Sequence, residues 1–266
     1  MNARAPAAVL SPEDRKHFLE NGYVALRDCF TTRACQAWKK DAIRRLGCDA
    51  DNPKTWKEDL VFLKSTEAVV LEQFAPKVLA ATAELVGGMD QIHQPRNLSW
   101  SNSFVINFRY GEGSAKVNWH KDGSQRHFLD SGEMGLLHYA LWSDVGPNGG
   151  GTRLALDSIG HVARFLLEHP EGVSSADIPC NQIISRCNKF VNATGQAGDV
   201  YLVHPFMLHS SWPNPSGQPR FMTVRIVDLT EPLNFNRANP SAYSLVEQTV
   251  LKALGLNQLD FKSKGR

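Results

Sequence analysis

The segment Trp119-His120-Lys121-Asp122-Gly123 decides how this 266-residue sequence is interpreted. On a strand, side chains two positions apart point to the same face, so His120 and Asp122 can reach one metal ion. The third ligand then comes from another strand, and the distant His204 and His209 are candidates. Two imidazoles and one carboxylate form the ligand set of non-haem iron(II) oxygenases, which leaves coordination positions open.

Strand-like segments surround this motif without alternating helices. Clusters of glycine, proline and asparagine separate them, as in residues 146–151 and 213–217. The segments are 103–110, 135–145, 152–156, 183–191, 199–203 and 220–229. This succession predicts a mainly β fold with flanking helices, built on a double-stranded β-helix, which is a jelly-roll or cupin-like core.

Helix signals dominate the first hundred residues. Ser11 is an N-cap residue, Pro12 suits the first helical position, and Asp14 completes a capping box. This helix is expected to end at Gly22, before a short strand at 23–26. Further helices are predicted at 32–47, 76–86, 161–169 and 241–254. We predict one domain over residues 1–266, with a mostly helical part at 1–100, the jelly-roll core at 101–230, and a C-terminal helix and tail at 231–266.

Composition and charge exclude several classes of protein. A net charge of +2 gives no reason to expect binding to nucleic acid or membrane. No apolar run is long enough for a spanning helix, and the N-terminus lacks the apolar region of a secretory signal. The five cysteines are irregularly spaced, which favours reduced thiols. We expect a cytoplasmic monomer or homodimer whose partner is a small-molecule substrate.

The segment that contains both distal histidines carries a longer pattern. Gly198-Asp199 is followed by His204, His209 and Ser211, and Arg220 comes eleven residues after His209. The chain here resembles the phytanoyl-CoA dioxygenase family of iron(II)/2-oxoglutarate oxygenases, whose distal segment reads G-D-x-x-x-x-H-x-x-x-x-H-x-S with an Arg eleven residues after the second His. The resemblance covers most of the chain, from Asn21 to the strand of Arg220, and is weaker between residues 45 and 95.

The resemblance implies a set of cofactors and the residues that bind them. The cofactors are iron(II), the cosubstrate 2-oxoglutarate and O₂. The implied iron ligands are His120, Asp122 and His209, which leaves His204 to support the sheet. Arg220 and Ser211 would hold the far carboxylate of 2-oxoglutarate, and a guanidinium matches a carboxylate with two parallel hydrogen bonds. Asn107 is placed where relatives contact the cosubstrate, and His138 lies where many relatives have an aromatic residue that lines its pocket.

Four further residues are candidates for substrate contacts because they lie near the motif in sequence. They are Trp119, Trp142, Arg109 and Arg126. Core packing is the alternative for the two tryptophans, and a solvated surface position is the alternative for the two arginines. Arg126 follows Asp122 in a loop that is expected to overhang the pocket.

The expected reaction is hydroxylation of a small organic metabolite, with natural-product tailoring as one role, and with release of succinate and CO₂. Asp122 favours hydroxylation over halogenation, because related halogenases replace this carboxylate with Gly or Ala. Desaturation, cyclisation and epimerisation use the same cofactors and stay open. Two alternatives are of another kind, a non-catalytic jelly-roll binding protein and a cupin-type metalloenzyme without a cosubstrate. The latter gives Arg220 no role.

Overall fold

The computed structural model describes residues 8–111 and 117–264. The strands in this part of the chain are β1 (Tyr23–Leu26), β2 (Leu60–Leu63), β3 (Ala68–Val70), β4 (Ser99–Ser101), β5 (Phe104–Asn107), β6 (Leu136–Leu141), β7 (Thr152–Ala155), β8 (Phe190–Asn192), β9 (Val200–Val203), β10 (Leu208–Ser211) and β11 (Arg220–Val227). The α-helices are α1 (Pro12–Asn21), α2 (Thr32–Leu46), α3 (Leu71–Phe74), α4 (Pro76–Val86), α5 (Ser158–Glu168), α6 (Cys180–Ile184) and α7 (Leu245–Leu254). Among these helices, none is both long and apolar enough to cross a membrane.

Two antiparallel sheets form the core. The large sheet has the strand order β1-β9-β6-β11-β5-β2, and the small sheet has the order β10-β7-β8. Side chains from the two sheets meet where the hydroxyl of Thr152 on β7 lies 3.3 Å from the sulfur of Met222 on β11. The predicted mainly β fold with a jelly-roll core is therefore confirmed.

Helices cover the outer face of the large sheet. Trp142 stacks on Trp38 of α2 with ring centroids 4.4 Å apart, and Phe30, Phe74 and Trp100 complete the aromatic cluster. All six positions of β6 are buried, since one face packs against this cluster and the other faces the small sheet. One face of the large sheet is thus covered by helices and the other faces the small sheet. A site can therefore lie in the interior between the two sheets.

Several element boundaries agree with the sequence signals. Helix α1 begins at Pro12 with the capping box of Ser11 and Asp14, and it ends at Gly22, whose φ is 71°. Helix α2 ends before Gly47, which also has a left-handed backbone, with φ 62°. The helix over 76–86 and the strand over 23–26 are found as α4 and β1. Capping residues and left-handed glycines therefore specify these ends locally.

Other predicted elements differ from the structure. The expected strand at 183–191 is the end of helix α6 followed by the short strand β8. The C-terminal helix begins at Leu245 instead of 241, because Ser244 and Glu247 form its capping box. Strands β2 and β3 lie in the part expected to be helical, and β1 and β2 both belong to the large sheet. The large sheet is thus partly built from the N-terminal hundred residues.

Candidate active site

Three side chains converge between the sheets. The metal-binding atoms of His120, Asp122 and His209 all lie within 4.8 Å of one another. Nε2 of His209 is 3.3 Å from Oδ2 of Asp122, and Nε2 of His120 is 3.7 Å from Oδ1. His120 and His209 also exchange two backbone hydrogen bonds of 3.1 Å, which extend the small sheet by one bridge beside β10. Facing positions in that bridge place both imidazoles on the same side.

Backbone carbonyls orient both imidazoles. Nδ1 of His120 lies 2.9 Å from the carbonyl oxygen of Asn118, and Nδ1 of His209 lies 3.0 Å from that of Met207. An Nδ1–H that donates to a carbonyl leaves the Nε2 lone pair for a metal, as is usual for histidine ligands. Both rings are therefore held in the form that a divalent cation requires.

Electrostatics keep the carboxylate of Asp122 ionised. Burial raises the pKa of Asp122, but the neighbouring His209 outweighs this effect and the pKa falls to about 2. Burial lowers the pKa of His209, yet the charge of Asp122 raises it overall. For His120, burial and then His209 lower the pKa. One anionic oxygen ligand and two nitrogen ligands suit iron(II).

Arg220 lies on the inner face of the large sheet. It begins β11 and points to the same face as Met222 and Val224. Val224 pairs with Tyr139 of β6. Only 1% of Arg220 is exposed, and burial lowers its pKa to about 10, so that the guanidinium stays charged at neutral pH. Nε and Nη1 donate to the carbonyl oxygens of Gly150 and Val105, each at 2.9 Å. Within residues 8–111 and 117–264, Nη2 has no hydrogen-bond partner. A buried cation with an unused donor fits a carboxylate ligand.

Ser211 shares the interior with Arg220. It pairs with Thr152 across the small sheet, as His209 pairs with Leu154 two positions earlier. Ser211 and His209 therefore point to the same face, and Thr152 contacts Met222 of β11. The structure thus brings the predicted metal ligands, Ser211 and Arg220 into one interior.

His138 does not lie in this interior, and this prediction is corrected. Its Nε2 lies 2.9 Å from the hydroxyl of Thr82 on α4, and its Nδ1 accepts a hydrogen bond of 3.3 Å from the indole of Trp100. The neighbouring Tyr139 points the other way, with its ring 5.4 Å from that of His209. The Tyr139 hydroxyl is buried and has no partner in the part of the chain that the structure describes. On β6, the aromatic ring beside the metal centre is therefore that of Tyr139, one position after His138.

The side chain of Asn107 forms hydrogen bonds within the protein. Nδ2 donates to the carbonyl oxygens of Gly150 and Trp212 at 3.2 and 2.8 Å, and Oδ1 accepts from the backbone N–H of Tyr110 at 3.0 Å. Both amide hydrogens are therefore used within the protein. A contact between Asn107 and the cosubstrate stays a prediction.

The two predicted tryptophans lie in different surroundings. Trp142 is fully buried in the aromatic cluster on the helical side of the large sheet, so its predicted role in substrate binding is wrong. Trp119 packs on Phe190 and Trp212, with ring centroids 5.6 and 6.5 Å apart. It also borders a groove of about 540 Å³, which His120 borders as well. A substrate contact by Trp119 stays a prediction.

The two predicted arginines bind other parts of the protein. Arg109 forms an ion pair with Asp59, with Nε 2.5 Å from Oδ1. Arg126 is exposed and donates from Nε to the carbonyl oxygen of Glu171 at 2.9 Å. Neither contact involves a metal ligand, and a role in substrate binding stays a prediction for both.

His204 and Lys121 complete the surroundings of the site. His204 is fully buried, and its Nδ1 accepts from the backbone N–H of Phe206 at 3.1 Å, so it supports the chain before β10. Lys121 was not singled out from the sequence. Its buried ammonium lies 3.0 Å from Nδ1 of His127 and 3.3 Å from the sulfur of Met134. Lys121 lies between two predicted metal ligands in sequence, and its contacts connect this segment to the loop that follows. Its position between the two ligands is the sequence signal that could have indicated this role.

Comparisons with known proteins show the fold of the chain. No protein-family model and no curated protein matches it. The non-heme alpha-ketoglutarate-dependent carbocyclase SnoK from nogalamycin biosynthesis is 16% identical over 85% of this chain and 87% of its own, with a TM-score of 0.52. EctD from S. alaskensis with bound Fe is 18% identical over 88% and 84%, with a TM-score of 0.51. The epimerase SnoN in complex with Fe3+, alpha ketoglutarate and nogalamycin RO is 17% identical over 84% of each chain, with a TM-score of 0.51. The chain therefore has the fold of these three proteins.

Proposed function

We propose that this protein is an iron(II)- and 2-oxoglutarate-dependent dioxygenase that hydroxylates a small organic molecule and releases succinate and CO₂. One observation carries the proposal. His120, Asp122 and His209 converge within 4.8 Å, and the interior that they share holds Arg220 with a buried donor that lacks a partner among the described residues. A metal site alone needs no such arginine, whereas a dicarboxylate cosubstrate beside the metal does.

Different residues would bind the metal and the cosubstrate. His120, Asp122 and His209 would hold iron(II), which supplies activation of O₂ and oxidation of a C–H bond when it is bound. Arg220 would bind the far carboxylate of 2-oxoglutarate through its fork of donors, and Ser211 would donate to the same group. Tyr139 offers a further donor from β6, and its hydroxyl is buried. Arg220 and Tyr139 are fully buried, and exclusion of water around them strengthens the interactions that they can make.

The type of oxidation is proposed from the metal ligands. Asp122 provides the carboxylate that halogenating relatives lack, which favours hydroxylation. Cyclisation and epimerisation with the same cofactors are the alternatives, and a carbocyclase and an epimerase share the fold. These likenesses and the spacing of His209 and Arg220 support a place near the phytanoyl-CoA dioxygenase family. The proposal includes a tailoring role on a small metabolite, in a cytoplasmic monomer or homodimer.

Succinate formation tests the proposal. The purified protein, loaded with iron(II) under nitrogen and then exposed to O₂, should convert 2-oxoglutarate to succinate slowly without a substrate and faster when a suitable small molecule is added. Asp122→Ala should abolish this turnover, and Arg220→Ala should raise the 2-oxoglutarate concentration that is required. Turnover that does not depend on 2-oxoglutarate would favour a cupin-type metalloenzyme, and a metal-loaded protein that forms no succinate with any substrate tested would favour a binding protein.

A further inference from the structure

The side chain of Asn107 connects the two segments that carry Arg220 and Ser211. Asn107 is fully buried at the end of β5, directly opposite Arg220 on β11. One amide group binds two carbonyl oxygens from distant parts of the chain, those of Gly150 and Trp212. A buried amide with all its hydrogens bonded is rigid, because any displacement leaves a polar atom without a partner.

The first carbonyl group is shared with the guanidinium of Arg220. The oxygen of Gly150 accepts from Nδ2 of Asn107 at 3.2 Å and from Nε of Arg220 at 2.9 Å. Gly150 has a φ of +69°, and a β-carbon there would lie 2.5 Å from Nδ2 of Asn107. The close packing of Asn107 on Gly150 therefore fixes the acceptor that orients Arg220.

The second carbonyl group belongs to the residue after Ser211. The oxygen of Trp212 accepts from Nδ2 of Asn107 at 2.8 Å. Asn214 strengthens the same junction, since its Nδ2 donates to the carbonyl oxygen of Asn107 at 2.9 Å. The end of β10, and with it the hydroxyl of Ser211, is thereby held relative to β5 and β11.

We infer that Asn107 is a positioning residue that sets Arg220 and Ser211 for a carboxylate through the carbonyl groups of Gly150 and Trp212, without touching that carboxylate itself. The inference depends on the proposed binding of 2-oxoglutarate. It assigns Asn107 to the distal carboxylate end of the cosubstrate and not to the end that binds the metal. The affinity for a ligand without the distal carboxylate should therefore not depend on Asn107.

Two ligands distinguish the distal carboxylate end of the cosubstrate from its metal-binding end. Binding of 2-oxoglutarate and of 2-oxobutanoate, which has the same 2-oxo acid group but no distal carboxylate, is measured by calorimetry on the iron(II)-loaded protein without O₂. Asn107→Ala should weaken 2-oxoglutarate binding by about tenfold or more, the loss expected when a hydrogen bond to a charged group is misplaced. Binding of 2-oxobutanoate should change less than about twofold, because this ligand has no carboxylate for Arg220 and Ser211 to bind. In an Arg220→Ala background, Asn107→Ala should cause a clearly smaller further loss, namely the part that acts through Ser211.

The matched control is Asn102→Ala. Asn102 is also fully buried, and its amide binds Asp41, Thr66 and Glu67 away from Arg220. This variant should lose stability but keep both affinities. If Asn107→Ala does not fold, Asn107→Ser removes the same donor group with a smaller loss of volume. Equal losses for both probes, or no loss for either, would overturn the inference, whereas a native protein that binds 2-oxoglutarate no better than 2-oxobutanoate would overturn the proposed function itself.

Discussion

The ring of Tyr139 lies 5.4 Å from the ring of His209, and its buried hydroxyl has no hydrogen-bond partner within the described ranges. An unsatisfied buried hydroxyl costs stability, and a ligand that accepts from it recovers that cost. We expect Tyr139→Phe to leave the unfolding free energy of the cofactor-free protein unchanged or to raise it by about 1 kcal/mol. The same change should weaken 2-oxoglutarate binding by about tenfold. Urea unfolding and calorimetry measure the two effects, and a destabilised cofactor-free variant with native affinity would contradict both.

Removal of one metal ligand is expected to remove the metal. Asp122 supplies the only carboxylate of the three converging groups, and His209 supplies the more buried of their two imidazoles, with 6% of its side chain exposed. Asp122→Ala and His209→Ala should each lower affinity for iron(II) by about tenfold or more, since even changes beside metal ligands cost this much. Metal content after loading and desalting is the measurement. His161→Ala on α5 is the control and should retain native metal content.

Acid is expected to destabilise the fold through two buried histidines. Burial and then the charge of Arg225 lower the pKa of His138 to about 3, and burial is also the main cause for His204, whose pKa is about 3. The unfolded chain takes up these protons near pH 6.5, whereas the folded chain does not. The free energy of unfolding should therefore fall as the pH drops from about 6.5 towards 3, by up to about 1.4 kcal/mol per pH unit for each histidine.

Unfolding in urea between about pH 7 and pH 4 measures this slope. In His138 a second proton would have to sit on Nδ1, which faces the N–H of Trp100. His138→Gln should thus give a shallower dependence on pH than the native protein, even though its total stability is lower. An unchanged slope would show that the ring is not the group that takes up the proton.

Gly150 is expected to tolerate no side chain, for two separable reasons. Its φ is +69°, and a β-carbon would lie 2.5 Å from Nδ2 of Asn107 and 2.6 Å from Cβ of Asn214. Gly217 has a similar φ of +71° and Gly146 does not, and neither would bring a β-carbon within 4 Å of another described residue. Gly217→Ala should cost about 1 kcal/mol from backbone strain alone. Gly150→Ala should lower the free energy of unfolding by at least about 2 kcal/mol more than Gly217→Ala, and Gly146→Ala should lower it hardly at all. Urea unfolding measures the three values. Equal losses at Gly150 and Gly217 would show that the close contacts at Gly150 relax freely.

Local signals predicted much of this molecule. The ends of α1 and α2 follow from a capping box and from left-handed glycines, which act within a few residues. The alternation of side chains along a strand placed His209 beside Ser211 on β10. The same reasoning placed His120 beside Asp122, although in the structure His120 forms only one bridge and Asp122 lies outside the strands. These predictions need only the period of the strand and the chemistry of the side chains.

The remaining features depend on contacts that are distant in sequence. All six residues of β6 are buried, so no polar alternation distinguishes the face of His138 from that of Tyr139. The partners of Asn107 lie 43 and 105 residues further along the chain, and no local pattern reveals them. The strands β2 and β3 are short and obtain their register by pairing with β5 and β4.

The paired backbone hydrogen bonds between His120 and His209 make the spacing of the two imidazoles a property of strand alignment. Loops elsewhere between these residues can change length without moving the ligands, provided that this alignment is kept. A slip of one position would instead turn one imidazole to the outside and abolish the centre at once. Lengthening a connecting loop and shifting the bridge by one residue should therefore have opposite consequences, tolerance in the first case and complete loss of the metal in the second.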